Sequence, residues 1–234
     1  MAYPQMAVSV GSTPAQVGTY PQQLPTNLFR FGEITLYSTH AFGQTNAVSP
    51  LANTTNRLFT TQLGGTGQGF LQGLSVSETN LKEAGRIPSG QAYDVFGVAG
   101  QVSFYNPADG ASAISAPITN AALATSGLST VVSNGILAWD FTQTKVFICP
   151  LMLAGAGGGV FGAVADSAGN QIGALNNGNG GIWMYRKHPV ALPGNSTFAV
   201  ELQFGTRAGT LPAAIGLAVR VVLLGYYKSV IEIG

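Results

Sequence analysis

Charge is the scarcest property of this chain. Lys and Arg together number 10 and Asp and Glu 9, so 8% of the 234 residues are charged, against roughly a quarter in an ordinary soluble domain. A free monomer stays soluble by wearing mixed charge over its whole surface. Here much of the surface has to be uncharged polar, small or apolar, which suits a subunit tiled against copies of itself. A secreted β-protein with a Ser/Thr/Asn/Gln surface would share that composition. The formal net charge is +1 and no basic tail is present, which argues against nucleic-acid binding through phosphate neutralisation. A single cysteine, Cys149, excludes an internal disulfide framework. It lies in the apolar run Val146–Cys149 and reads as a small buried hydrophobe. Two histidines, His40 and His188, and one cysteine at wide separations cannot supply a structural zinc site. The first residues have neither a positive n-region nor an apolar h-region, so no secretory leader is expected.

Catalytic constellations are equally scarce. Gly64–Gly69 is glycine-rich, but β signals on both sides and no lysine in the loop argue against a phosphate-binding turn. A Cys149 nucleophile with His40 or His188 would need a third member that no spacing selects. Glu78 and Glu83 flank a turn-like segment and read as solvated. Arg186-Lys187-His188 is the one dense cationic patch; it offers a phosphate or acidic neighbour a contact, or simply protects a strand edge. No enzyme activity, metal or cofactor is expected.

What the chain does have is glycine, 32 residues, and 12 prolines. Residues 1–28 hold Pro4, Pro14, Pro21 and Pro25 and no charge, which favours an extended arm over a helix. From residue 29 onward the signal is β. Runs at Glu33–Tyr37, Arg57–Gln62, Phe70–Ser77, Tyr93–Phe104, Ile136–Phe141, Lys145–Leu153, Val160–Ala165, Ile182–Lys187, Thr197–Phe204 and Ile215–Tyr227 alternate with Gly/Pro/Asn/Ser punctuation. In Thr197–Phe204 the period of two puts Phe198, Val200, Leu202 and Phe204 on one face, with Glu201 and Gln203 on the other. Ile215–Leu224 has only Arg220 as a charge and reads as a central strand covered on both faces. Val146–Ala165 is uncharged over the length of a membrane span, but Pro150 and five glycines favour two strands around a turn. Asn120–Leu128 is Ala-rich, and Gly127 limits any helix there to a couple of turns. The expected fold is all-β: a single eight-stranded jelly roll, a β-sandwich at 29–234, preceded by the N-terminal arm at 1–28.

The segment His188-Pro189-Val190-Ala191-Leu192-Pro193-Gly194-Asn195-Ser196-Thr197 leads into Phe198–Phe204, and a Pro/Gly-containing turn then leads into Ile215–Tyr227. Together with Asn80–Pro88 followed by the strand from Tyr93, this resembles the jelly-roll capsid proteins of tailless icosahedral bacterial viruses. The resemblance covers about a third of the chain and rests on segment order rather than a signature motif. It implies a capsid subunit that self-assembles into capsomers of an icosahedral shell, built in the host cytoplasm and located in the virion. It brings no active-site residues. The implied partners are copies of the chain, other coat or vertex proteins and, in some lineages, an internal membrane, with no sequence-specific nucleic acid. Aromatic anchors carry much interface energy, and the candidates are Tyr3 and Tyr20 in the arm, then Trp183, Tyr185, Tyr226 and Tyr227 near strand ends, with Arg186 beside them. The alternative is a carbohydrate-binding or adhesive β-sandwich, which would stack sugars on exposed aromatics such as Trp139 or Trp183.

Overall fold

The computed structural model describes residues 27–66, 69–71, 73–105, 107, 121–141, 144–155, 159–165, 171–176, 181–185 and 187–232. The arm assigned to 1–28 therefore lies almost wholly outside the described residues, and its last two positions belong to a strand. In chain order the elements are β1 (Asn27–Phe42), β2 (Ser49–Pro50), β3 (Thr55–Leu58), β4 (Gln91–Tyr105), α1 (Ala121–Asn134), β5 (Gly135–Phe141), β6 (Thr144–Pro150), a 3-10 turn (Leu151–Leu153), β7 (Gly159–Ala165), β8 (Gln171–Asn176), β9 (Trp183–Met184), β10 (Val190–Leu192), β11 (Ala199–Phe204), β12 (Thr210–Leu211) and β13 (Gly216–Glu232). The protein is mostly antiparallel β-structure with one helix. No helix among the described residues is long and apolar enough to cross a membrane.

The larger sheet has the order β1-β13-β4-β10, with β9 also on β4, and the smaller has the order β3-β11-β5-β6. One contiguous core draws on both. Val95, Val98, Val219, Val221 and Leu223 come from the larger sheet, and Leu137, Trp139, Val200 and Leu202 from the smaller. The period-of-two reading of β11 holds: Phe198, Val200, Leu202 and Phe204 are at most 3% exposed. The reading of β13 as a central strand holds too, since it is flanked by β1 and β4 over most of its length. At the Leu224/Gly225 bulge only glycine fits. A Cβ on Gly225 would stand 2.6 Å from the Tyr93 ring, whose hydroxyl donates to the carbonyls of Ile34 and Leu223.

Three local expectations are corrected. Among its described residues the run Phe70–Ser77 is not a strand but part of a strap, residues 59–66, 69–71 and 73–81, that crosses the outer face of the larger sheet. Its Leu71 and Leu74 bury against Ala41, Tyr105 and Ala218 in a second small core, each contributing about 2 kcal/mol on burial. The helix α1 runs for 14 residues rather than a couple of turns. Leu128 and Val131 plug into the main core, and Gly127 lets Leu211 approach to 3.3 Å from where its Cβ would be, so packing outweighs the propensity cost. Glu201 does not face water although it lies opposite the apolar face of β11. It is 3% exposed, held by both carboxylate oxygens on Lys145 Nζ at 3.0 Å and by Gln203 Nε2 at 2.6 Å.

Candidate assembly surface

The sandwich has two flanks, and they are built differently. On the β1 flank the chain covers the Thr35–Ala41 part of its own edge. The strap forms bridges Ser38↔Thr79 and Ala41↔Gly69 with β1. The Asn80 side chain imitates a strand: its Oδ1 accepts from the Tyr37 N–H at 2.9 Å and its Nδ2 donates to the Thr35 carbonyl at 2.7 Å. Thr79 Oγ1 donates to the Tyr37 carbonyl, and Ser38 Oγ accepts from the Phe59 N–H at 2.9 Å. Arg220, the lone charge of the β13 run, reaches up from the sheet to bond Thr39 Oγ1, Gln101 Oε1 and the Ser77 carbonyl. Glu78, expected to be solvated, is half-buried; it caps the Ser75 N–H at 2.8 Å and approaches the Tyr105 hydroxyl. Gly69 sits at φ +71°, and a Cβ there would overlap the Ala41 carbonyl oxygen, so the crossing requires glycine.

The opposite flank is open. Among the described residues β6 pairs only with β5, and β9 and β10 pair only with β4. The β9–β10 edge is interrupted: Met184 stands opposite Gly97 and Val190 opposite Val95, so that only Phe96 lies between the two pairings on β4, where its carbonyl accepts from the Tyr185 N–H. Along this flank Phe147 is 73% exposed, Met152 60%, Leu153 52% and Met184 45%, with Ile182 and Trp183 also exposed. The 3-10 turn and β9 are neighbours, because the Gly181 N–H donates to the Gly155 carbonyl at 3.1 Å. Ile182, Met184 and Leu224 converge over Gly97, which extends the apolar surface onto the outer face of the larger sheet. Two residues along β13 on that face, Tyr226 is 52% exposed and packs on Phe96 with ring centroids 5.0 Å apart.

The aromatic candidates thus separate. Trp183 and Tyr226 stand on the open flank. Tyr185 turns inward: its hydroxyl accepts from Trp139 Nε1 at 2.8 Å, and burial raises its pKa against the lowering effect of that bond. Tyr227 faces the inner side and lines, with Tyr93, Ile34, Leu36, Leu81 and Ile87, a cleft of about 620 Å³ at one end of the sandwich. Tyr3, Tyr20 and Arg186 lie outside the described residues; Lys187 and His188 are exposed between β9 and β10. Trp139 is 1% exposed, so it offers no sugar platform. Sequence reading missed Phe147, Met152, Leu153, Ile182 and Met184. For Phe147, Met152 and Leu153 the signal was present as the uncharged run after Lys145, but a continuous apolar run does not announce which side is bare.

Electrostatics adds to the bareness. Among the described residues Arg57–Asp140, Arg86–Glu83 and Lys145–Glu201 form ion pairs, so at least six of the 19 charges in the sequence are spent on each other. Cys149 is buried on β6, and burial pushes its thiol up to about 11, which keeps it protonated and unreactive. Among the described residues no group of three or more His, Cys, Asp or Glu is placed to hold a metal ion. No protein-family model and no curated protein matches the chain.

Proposed function

We propose that this protein is a structural subunit of a viral shell, a jelly-roll capsid protein that assembles with copies of itself. The observation that carries the reading is the nesting of its strands. Setting aside the two-residue strands and the β7–β8 hairpin, eight remain in chain order: β1, β3, β4, β5, β6, β10, β11 and β13. The first pairs with the last, the second with the seventh, the third with the sixth and the fourth with the fifth. This nesting supports a jelly roll, in which one long antiparallel hairpin rolls into two facing sheets, a fold common among viral shell proteins. The fold alone also serves lectins; the sparse charge and the exposed apolar flank favour a subunit in a shell. On this reading the arm at residues 1–28 reaches toward neighbouring subunits, and coat or vertex proteins or an internal membrane are further partners.

The test is light scattering on the purified full chain across a concentration series, with negative-stain microscopy of the same fractions. Trimers, pentamers, hexamers or closed shells are expected. A monomer that stays monomeric on concentration would reject the reading in favour of a binding module.

A further inference from the structure

The cleft at the end of the sandwich belongs to neither bare edge, and its lining points to a ligand. We infer that it binds a single-chain amphiphile, an aliphatic tail with an anionic head, carboxylate or phosphate. This inference goes beyond the shell reading and does not depend on it.

The first argument is a space left open on the inner face of the larger sheet. The register sets Gly32 beside Tyr227 and Tyr93, and Ile34 beside Gly225 and Val95, in two adjacent inner rows. Tyr93 and Val95 are buried there, whereas Ile34 is 43% exposed although it faces inward. What lies before it is the cleft of about 620 Å³, within the roughly 300–1,000 Å³ of small-molecule sites. A Cβ on Gly32 would meet no heavy atom within 4 Å, and its φ is not in the left-handed region. Neither the backbone nor a neighbour therefore requires glycine at this position. Interiors are close-packed, and an apolar void forfeits contacts that a larger side chain would regain. Glycine keeps the space free for something else.

The walls and the charges define that occupant. Ile34, Leu36, Leu81, Ile87 and the rings of Tyr93 and Tyr227 suit an aliphatic tail. Most polar groups of the lining are already spent. Asn80 bonds the β1 backbone, the Tyr93 hydroxyl donates to two carbonyls, and Arg86 is paired with Glu83. Glu33 stands in register with Tyr226 and so faces the outer side of the sheet. Lys82 is exposed at the cleft and has no partner among the described residues. The one unspent charge directed at the cleft is thus positive, which favours an anionic head. Side chains of residues 1–26 carry no charge, so the chain's own arm offers that ammonium no counter-charge.

The test is isothermal titration of the full chain with dodecanoate and with dodecyl phosphate, each below its micelle concentration, and with dodecyltrimethylammonium as the cationic control. One ligand per chain is expected, with both anions bound about tenfold or more tightly than the cation. The ratio between the two anions distinguishes a carboxylate head from a phosphate. Lys82→Glu should remove the preference for anions. Gly32→Leu, which fills the cleft, should weaken both anions about tenfold or more, and Phe147→Glu, away from the cleft, should change nothing. Each variant is checked for a native near-UV spectrum, and Ile34→Trp replaces Gly32→Leu should that variant misfold. A wild-type chain that binds neither anion overturns the inference. So does tighter binding of the cation, or binding that Gly32→Leu and Lys82→Glu both leave intact, because the tail would then adsorb elsewhere on the surface.

Discussion

The two flanks of this sandwich solve the same problem in opposite ways. Each sheet ends in an edge strand whose N–H and C=O groups face outward, and such edges invite pairing. At β1 the chain supplies the partner itself, with a strap whose Asn80 side chain and Thr79 bridge stand in for another strand. At β6 and β9 nothing among the described residues does so, and the side chains there are apolar. What the difference teaches is local: the Thr35–Ala41 part of one edge is bonded within the chain, whereas among the described residues β6, β9 and β10 have no second strand beside them.

The largest expected effect is on the core that both flanks share. Val200→Asp places a carboxylate at a position with 0% exposure and no partner, at a cost above about 4 kcal/mol. The outcome is no folded protein by near-UV circular dichroism, and a native-like variant would refute the face assignment of β11. Next comes Gly69→Ala, which drives a Cβ into the Ala41 carbonyl at positive φ. It should cost about 2–4 kcal/mol and loosen the strap, so that limited proteolysis cuts within 60–80 while the main core persists. This variant would turn the closed flank into a second open one. Lys145→Met, on the open flank, strands Glu201 with Gln203 as its remaining partner. A loss of about 2 kcal/mol in urea denaturation follows, whereas Arg86→Met, breaking an exposed pair, should change stability by less than about 1 kcal/mol.

The smallest effect concerns Cys149, which sits on the open-flank strand but faces the core. Its folded pKa is raised by burial from 9.0 to about 11. The folded state therefore holds this proton more tightly than the unfolded one. Stability is unaffected below pH 9 and declines as the pH rises from 9 toward 11. A disulfide-exchange reagent at pH 8 should label the native thiol far more slowly than the urea-unfolded one. Equal rates would mean that β6 is not sealed on its inner side.

Much of the fold was legible because periodicity and charge agree with burial. The alternation Phe198–Phe204 gave β11 its face, and a single cation in Ile215–Leu224 gave β13 its central place. Other parts were hidden for physical reasons. β1 runs from Asn27 to Phe42, yet only Glu33–Tyr37 read as a strand, because Ser38, Thr39 and His40 look like a polar break. Ser38 and Thr39 are at most 1% exposed, satisfied by the Phe59 N–H at the start of the strap and by Arg220 of β13, neither of which any local window contains. The same strap read as a strand at Phe70–Ser77 since Leu71 and Leu74 are apolar, though they serve as pegs onto a neighbouring sheet. Glu201 was placed on the face opposite the apolar one, and its burial was not legible because its partner Lys145 is 56 residues away. At the candidate surface, aromatic residues at strand ends pointed to Trp183 and Tyr226. They equally pointed to Tyr185, whose inward turn toward Trp139 is decided by the interruption between β9 and β10.

The most direct test of the contrast between flanks is hydrogen–deuterium exchange of the full chain at low and high protein concentration. The account predicts that amides in 144–150 and 182–185 slow on concentration, while those of β4 and β13 in the sheet interior stay unchanged. Identical exchange at both concentrations in 144–150 and 182–185 would contradict it, because the open flank would then remain open in every state the protein adopts.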